Sequence, residues 1–172
     1  MKKWIYNITL ATITAILTTA CVGDNLPTHA ESTIIREGMT APNFWVDTLD
    51  GSEFTLSECR GEVVLLIFFS HQCPDCKALF DDIEAQIEPQ KADFNIIAIN
   101  RDGDLNDTAI YREEQGYTLN MAADPDKQIY SLYATTYVPR CYVIDREGVV
   151  RLLTIEYDKG YVPSIIDCIA KL

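Results

Sequence analysis

The most constraining stretch of the chain is EVVLLIFF, Glu62 to Phe69. Seven of its eight residues are apolar and five are β-branched or aromatic. A half-exposed strand alternates apolar with polar residues. This run does not, so it predicts a strand buried on both faces. It leads straight into SHQCPDCKALF, where Cys73 and Cys76 are separated by two residues. Leu79, Ile83 and Ile87, with Phe80 beside them, then recur at helical spacing. A strand, a cysteine pair and a helix are therefore consecutive.

The rest of the domain alternates strand and helix signals. NFWVDTLDGSEFTL predicts a hairpin about Asp50-Gly51. FNIIAIN predicts a second buried strand. Pro89 ends the helix after the cysteines, and DLNDTAIYREEQG predicts a helix closed by Gly116. DPDKQIYSLYATT predicts a further helix with Ile129, Leu132 and Tyr133 on one face. RCYVID and VVRLLTIE form an antiparallel pair. VPSIIDCIAKL predicts a closing helix with Val162, Ile165, Ile166 and Ile169 on its apolar stripe and Pro163 in its first turn. The sum is one α/β domain over residues 38–172, a mixed sheet with helices on its faces.

Residues 1–20 read as an export signal and not as part of this fold. MKK is basic, and the following WIYNITLATITAILTTA is uncharged. LTTAC, Leu17 to Cys21, resembles a bacterial lipobox, which implies that Cys21 is diacylated and becomes the mature N-terminus. A plain signal peptide and an uncleaved span are the competing readings; the threonines and Asn7 speak against the span. Residues 21–37 read as a polar, flexible tether, and His29 within it has no assigned role. Losing Lys2 and Lys3 with the signal, and no acid, moves the formal charge from −12 to −14. Such a chain has no basic surface for nucleic acid.

Three readings of Cys73 and Cys76 are open: a structural disulfide, a metal clamp, or a pair cycling between thiol and disulfide. A helix beginning at Cys73 would set its sulfur at the positive end of the helix dipole, which favours the reactive thiolate. Cys76 lies one turn on and can close a disulfide with it. The first cysteine then attacks and the second resolves, with no metal or organic cofactor.

The chain resembles the thioredoxin superfamily. It is similar to the exported, membrane-tethered TlpA and ResA-like thiol–disulfide oxidoreductases of the broader redoxin group, which includes AhpC/TSA-like proteins. The resemblance runs from about Gly38 to the C-terminus. It rests on LSECRGEVVLLIFFSHQCPDCK, INRDGD and ADPDKQIYSLYATTYVPRCYVIDREG. It implies a thioredoxin-like fold with an N-terminal hairpin and an inserted helix and strand between Arg101 and Met121. It implies Cys73 and Cys76 as the catalytic pair and Val138-Pro139 as a cis-proline loop that binds substrate. The partners it implies are disulfide-bearing exported proteins and a membrane thiol donor of electrons. The place is the cell envelope, outside the cytoplasmic membrane.

Several positions depart from the family pattern. Gln72 stands where tryptophan is frequent. Ile67 and Leu79 stand where relatives carry a buried acid that moves the resolving thiol's proton. Proton handling and tuning then fall to His71, Pro74, Asp75 and water. Asp75 sets a negative charge beside the first thiol, which disfavours its ionised form and shifts the couple towards a reductant. Arg140 follows Pro139 where many relatives have threonine, and is expected on the rim of the site, favouring acidic substrates.

Cys59 and Cys168 read as buried, inert thiols. Cys141, two residues after Pro139, reads as core packing, with a third redox thiol as the rival. NRDGDLND lacks the glycine and glutamate of a calcium loop, and no histidine cluster completes a zinc site. Two other functions compete with disulfide reduction. One is a thiol peroxidase, for which Ser70 fits the expected hydroxyl but Leu66 replaces the expected proline. The other is a Cu(I)-binding pair.

Overall fold

The structure is a computed structural model that describes residues 26–87 and 92–172. The export signal, Cys21 and Pro89 lie outside the described residues.

Strand β3 (Val64–Phe69) is buried along its whole length. Leu65, Ile67 and Phe69 enter one core, while Val64, Leu66 and Phe68 enter a second core on the other face. The missing alternation in the sequence has this cause: both faces of the strand are covered. β3 runs parallel to β4 (Asn95–Asn100) and antiparallel to β6 (Arg140–Ile144). β5 (Met121–Ala123) and β7 (Val150–Ile155) complete a mixed sheet of order β5-β4-β3-β6-β7.

The first core is closed by α2 (Pro74–Gln86) through Cys76, Leu79, Phe80 and Ile83. Tyr111 of α3 (Leu105–Gln115) and Val162 and Ile165 of α5 (Tyr161–Ile169) complete it. Each fully buried aliphatic or aromatic side chain contributes about 1.5–3 kcal/mol. The closing helix turns further than its expected stripe: Ile166 faces outward, 38% exposed. Helix α3 starts at the Asp104 cap and ends at Gly116, whose φ of 71° is the left-handed conformation glycine adopts without strain.

The second core lies under the hairpin of β1 (Trp45–Asp47) and β2 (Glu53–Thr55), together with Phe44, Tyr130 and Tyr133. An isolated bridge, Thr48 to Ala122, lets the hairpin cover part of β5, the edge strand. Helix α4 (Tyr130–Tyr133) is a single turn, shorter than expected. The Asp124 carboxylate accepts from the amides of Ile129 at 3.2 Å and Tyr130 at 2.7 Å, so the preceding residues are held as a loop. Tyr130 and Tyr133 are its buried residues, and Leu132 faces outward.

The segment expected as a tether is packed over its described part, residues 26–37. Thr28 and Glu31 form a reciprocal capping box that starts α1 (His29–Ser32). The amides of Ile34 and Ile35 donate to the Tyr133 carbonyl at 3.0 and 3.1 Å, and Thr135 donates to the Ser32 carbonyl at 2.9 Å. Ser32 and Ile35 are buried. The threonine-x-x-glutamate spacing was a readable signal for this. Cys59 and Cys168 are less buried than expected: both are half-buried, Cys59 packed against the second core and Cys168 against the first.

Candidate active site

Cys73 is the N-cap of α2, where β3 gives way to the helix, and Pro74 occupies the first helical turn. Proline suits that position because no intrahelical bond requires its missing N–H. The Cys73 amide donates to the Ser70 carbonyl at 3.1 Å, and its own carbonyl accepts from Lys77 at 3.2 Å. Its thiol donates to the Val138 carbonyl oxygen at 3.6 Å. The Val138-Pro139 peptide is cis, as the resemblance implied. The α2 N-terminus and the Val138-Pro139 loop, distant in sequence, therefore meet at one sulfur.

Cys76 is fully buried beneath Cys73. Burial pushes its thiol far above the ordinary range, against a hydrogen bond from the Ser70 backbone that acts in the opposite sense. Both cysteines are free thiols here. The two sulfurs are thus unequal: Cys73 is half-exposed, whereas Cys76 is held protonated in an apolar core.

Ile67 and Leu79 are fully buried on the same core, so neither position supplies an acid beside Cys76. Asp75 is exposed on the first turn of α2. His71 is half-buried; its Nδ1 lies 3.2 Å from Asn100 Nδ2, and its Nε2 lies 3.3 Å from Gln72 Nε2. Asn100 is fully buried and also donates to Thr108 Oγ1 at 3.0 Å. His71 is therefore anchored by an asparagine that the sequence reading did not single out.

One further residue near the pair, Tyr111, escaped that reading. The Tyr111 hydroxyl is buried with no hydrogen-bond partner among the described residues. Burial pushes it up to about 12, against the neighbouring Tyr117 hydroxyl, which acts in the opposite sense. Cys141 sits opposite Ile67 on β6 in the same core as Cys76, and burial raises its thiol to about 12. An unionised buried thiol fits the packing role expected of it.

Arg140 is not on the rim. Alternation along β6 sends Cys141 to the α2 face and Arg140 to the opposite face, where it is wholly buried. A preference for acidic substrates through Arg140 has no structural basis.

A cleft of about 330 Å³ opens beside Cys73, lined by Leu26, Ser70, Arg101, Tyr137 and Val138 among others. Arg101 pairs with Asp102 at 3.3 Å and lies over the Tyr130 ring, 4.7 Å from its centroid. Burial opposes ionisation of Asp102, but Lys127 and Arg101 together hold its carboxyl below the ordinary range. A larger, shallow depression of about 900 Å³ lies elsewhere, between Trp45, Leu105 and Leu132, and no cysteine lines it.

The AhpC/TSA family model matches residues 38–153, a span that includes both cysteines and the cis-proline loop. The chain belongs to the AhpC/TSA family. Among its relatives is the thiol-disulfide oxidoreductase ResA of Geobacillus thermodenitrificans, 27% identical over 155 residues and covering 88% of each chain. A solution structure of a Bacteroides thetaiotaomicron protein named for protein disulfide isomerase is 32% identical, with a TM-score of 0.76, covering 81% of this chain and 91% of that one. The crystal structure of a Chlorobium tepidum protein named for the thiol:disulfide interchange protein DsbE is 25% identical, with a TM-score of 0.69, covering 80% and 98%. The fold is thioredoxin-like and the chain is an oxidoreductase.

Proposed function

We propose that Cys73 and Cys76 form the redox centre of a thiol–disulfide oxidoreductase that reduces disulfides in exported proteins. The carrying observation is the inequality of the two thiols. Cys73 is reachable beside the Val138 carbonyl, and Cys76 is buried one helical turn below it.

The chemistry balances without a cofactor. The Cys73 thiolate attacks one sulfur of a target disulfide, and the other sulfur leaves as a thiolate that takes up a proton. Cys76 then gives up its proton and attacks the Cys73 sulfur. The second target thiol is released and the Cys73–Cys76 disulfide forms, so two electrons have passed to the target. The proton of Cys76 goes to water or to His71 or Asp75 at the mouth of the site. A membrane thiol donor restores the dithiol. Val138 and Pro139 present the substrate-binding edge, and an extended target segment can pair with the backbone there.

The domain is held at the outer face of a membrane by lipid on Cys21, in a cell envelope. Among the described residues, no helix is long and apolar enough to cross a membrane. The deciding experiment is capture of targets in cells by Cys76→Ser: covalent adducts on Cys73 with exported proteins support this reading, and their absence refutes it.

One observation favours a second reading. Ser70 and Arg101 line the same cleft as Cys73, a hydroxyl and a guanidinium able to hydrogen-bond a peroxide beside the thiol. Leu66 stays buried in β3, on the core face away from Cys76, and Arg101 is engaged by Asp102 and Tyr130. Turnover of hydrogen peroxide by the reduced protein separates the two readings.

A further inference from the structure

Arg140 is the largest fully buried side chain among the described residues, yet the arginine ion pairs there involve Arg101, Arg112 and Arg151. Among the described residues its guanidinium binds only neutral oxygens. Nε donates to the carbonyls of Thr136 and Tyr137, both at 3.1 Å. One terminal nitrogen donates to Thr33 Oγ1 at 2.9 Å; the other donates to Ser32 Oγ at 2.7 Å and to the Thr136 carbonyl at 2.9 Å. Burying a guanidinium without a counter-ion is costly, and hydrogen bonds from all three of its nitrogens offset that cost. Here the fork joins two pieces of chain: the N-terminal segment and the loop that enters Val138-Pro139.

That loop is strained at one residue. Tyr137 has φ 68°, uncommon for a residue with a side chain. Such a conformation persists when its surroundings over-determine it. The Tyr137 carbonyl accepts from Tyr130 Oη at 2.8 Å as well as from Arg140. The Tyr137 hydroxyl donates to the Pro27 carbonyl at 2.6 Å, and His29 packs edge-on against its ring at 4.8 Å. His29 is held in turn by Glu156 at 2.9 Å. The same segment places Leu26 in the cleft beside Cys73, 73% exposed. All of residues 26–33 lie before the family match, which begins at 38.

We infer that Leu26–Thr33 is a wall of the substrate groove, that Arg140 is the positioning residue locking it to the Thr136–Val138 loop, and that Leu26 selects polypeptide disulfides with an apolar residue beside the cysteine. The inference rests on the disulfide-reductase reading of the same site. Arginine is needed because its planar fork reaches four acceptors at fixed angles. A lysine keeps the charge but donates from one point.

The test uses the reduced full chain and three disulfides: a small aromatic disulfide, a peptide disulfide with leucine beside the cysteine, and the same peptide with serine there. The parent protein should show a KM about tenfold lower for the leucine peptide than for the serine peptide. Leu26→Ser should shrink that ratio to about twofold or less, with the leucine peptide losing more than the small disulfide. Arg140→Lys should raise KM for both peptides about fivefold at similar kcat, with a smaller change on the small disulfide. Should Arg140→Lys fail to fold, the Ser32→Ala/Thr33→Val double variant removes two of its acceptors and should give the same KM effect. No preference for leucine in the parent, or equal losses on the small disulfide and the peptides, overturns the inference. A parent that reduces none of the three disulfides instead sinks the underlying function.

Discussion

The Cys73 sulfur donates to the Val138 carbonyl oxygen at 3.6 Å across 65 residues of sequence. This contact joins the first turn of α2 to the loop entering β6, and it places the half-exposed thiol against the Val138 backbone. A substrate segment lying along Val138 would bring its own disulfide to that sulfur. The contact also explains why Cys73, and not the buried Cys76, is the reachable member of the pair.

Division of labour follows from that asymmetry. Cys73→Ala should abolish disulfide reduction, while Cys76→Ser should complete one attack and stall as a mixed disulfide. In the reduced wild-type protein, brief alkylation followed by peptide mapping should label Cys73 well before Cys76. Faster labelling of Cys76 would reverse the assignment.

The buried thiol also makes stability depend on pH. Cys76 in the folded state keeps a proton that the unfolded chain releases, because burial raises its folded value. That stabilisation is fully present below the unfolded value, about pH 8.5, and is lost as pH rises above it, by up to about 1.4 kcal/mol per pH unit. The Cys73–Cys76 disulfide carries no such proton, and Cys141 titrates in both redox forms. Urea melts between about pH 8 and pH 10 should therefore show the reduced form losing stability relative to the oxidised form. A difference that does not change with pH would show that Cys76 is not held protonated by the fold.

Gly103 supports the His71 anchor by having no side chain. A Cβ there would lie 2.6 Å from Asn100 Nδ2 and 2.9 Å from His71 Nδ1. Asn100 is fixed by Thr108 and accepts from the Asp102 amide at 3.2 Å, so it has little room to move. Gly103→Ala should cost about 1–3 kcal/mol. The cost should fall in a His71→Ala background, where one of the two contacts under 3.0 Å is gone. Additive losses in the double variant would place the strain elsewhere.

Anchoring is tested by metabolic labelling with palmitate, which should be incorporated into the wild type and not into Cys21→Ala. Because packing begins by residue 26, the Cys21→Ala domain should still melt at the wild-type temperature once its signal is removed. Label that persists in Cys21→Ala would reject this cysteine as the acylated residue.

The sequence by itself determined the central strand, the cysteine pair on a strand-to-helix junction, the hairpin at Asp50-Gly51 and the helix closed by Gly116. Each is written in local pattern: unbroken apolar run, period-3.6 spacing, turn glycine. It also located the Val138-Pro139 loop by resemblance. Tertiary structure alone decided which way side chains point and what they meet. Arg140 is adjacent in sequence to Pro139, yet strand alternation and the second core turn it away from the rim and bury it among neutral oxygens. The N-terminal segment is polar, so composition reads as a tether. Its docking depends on donors offered by residues more than a hundred positions away, such as Arg140 and Tyr137. The inequality of the two thiols has the same origin: spacing sets Cys73 and Cys76 on one helix turn, but only the packed core around Leu79, Phe80 and Cys141 takes water away from one of them.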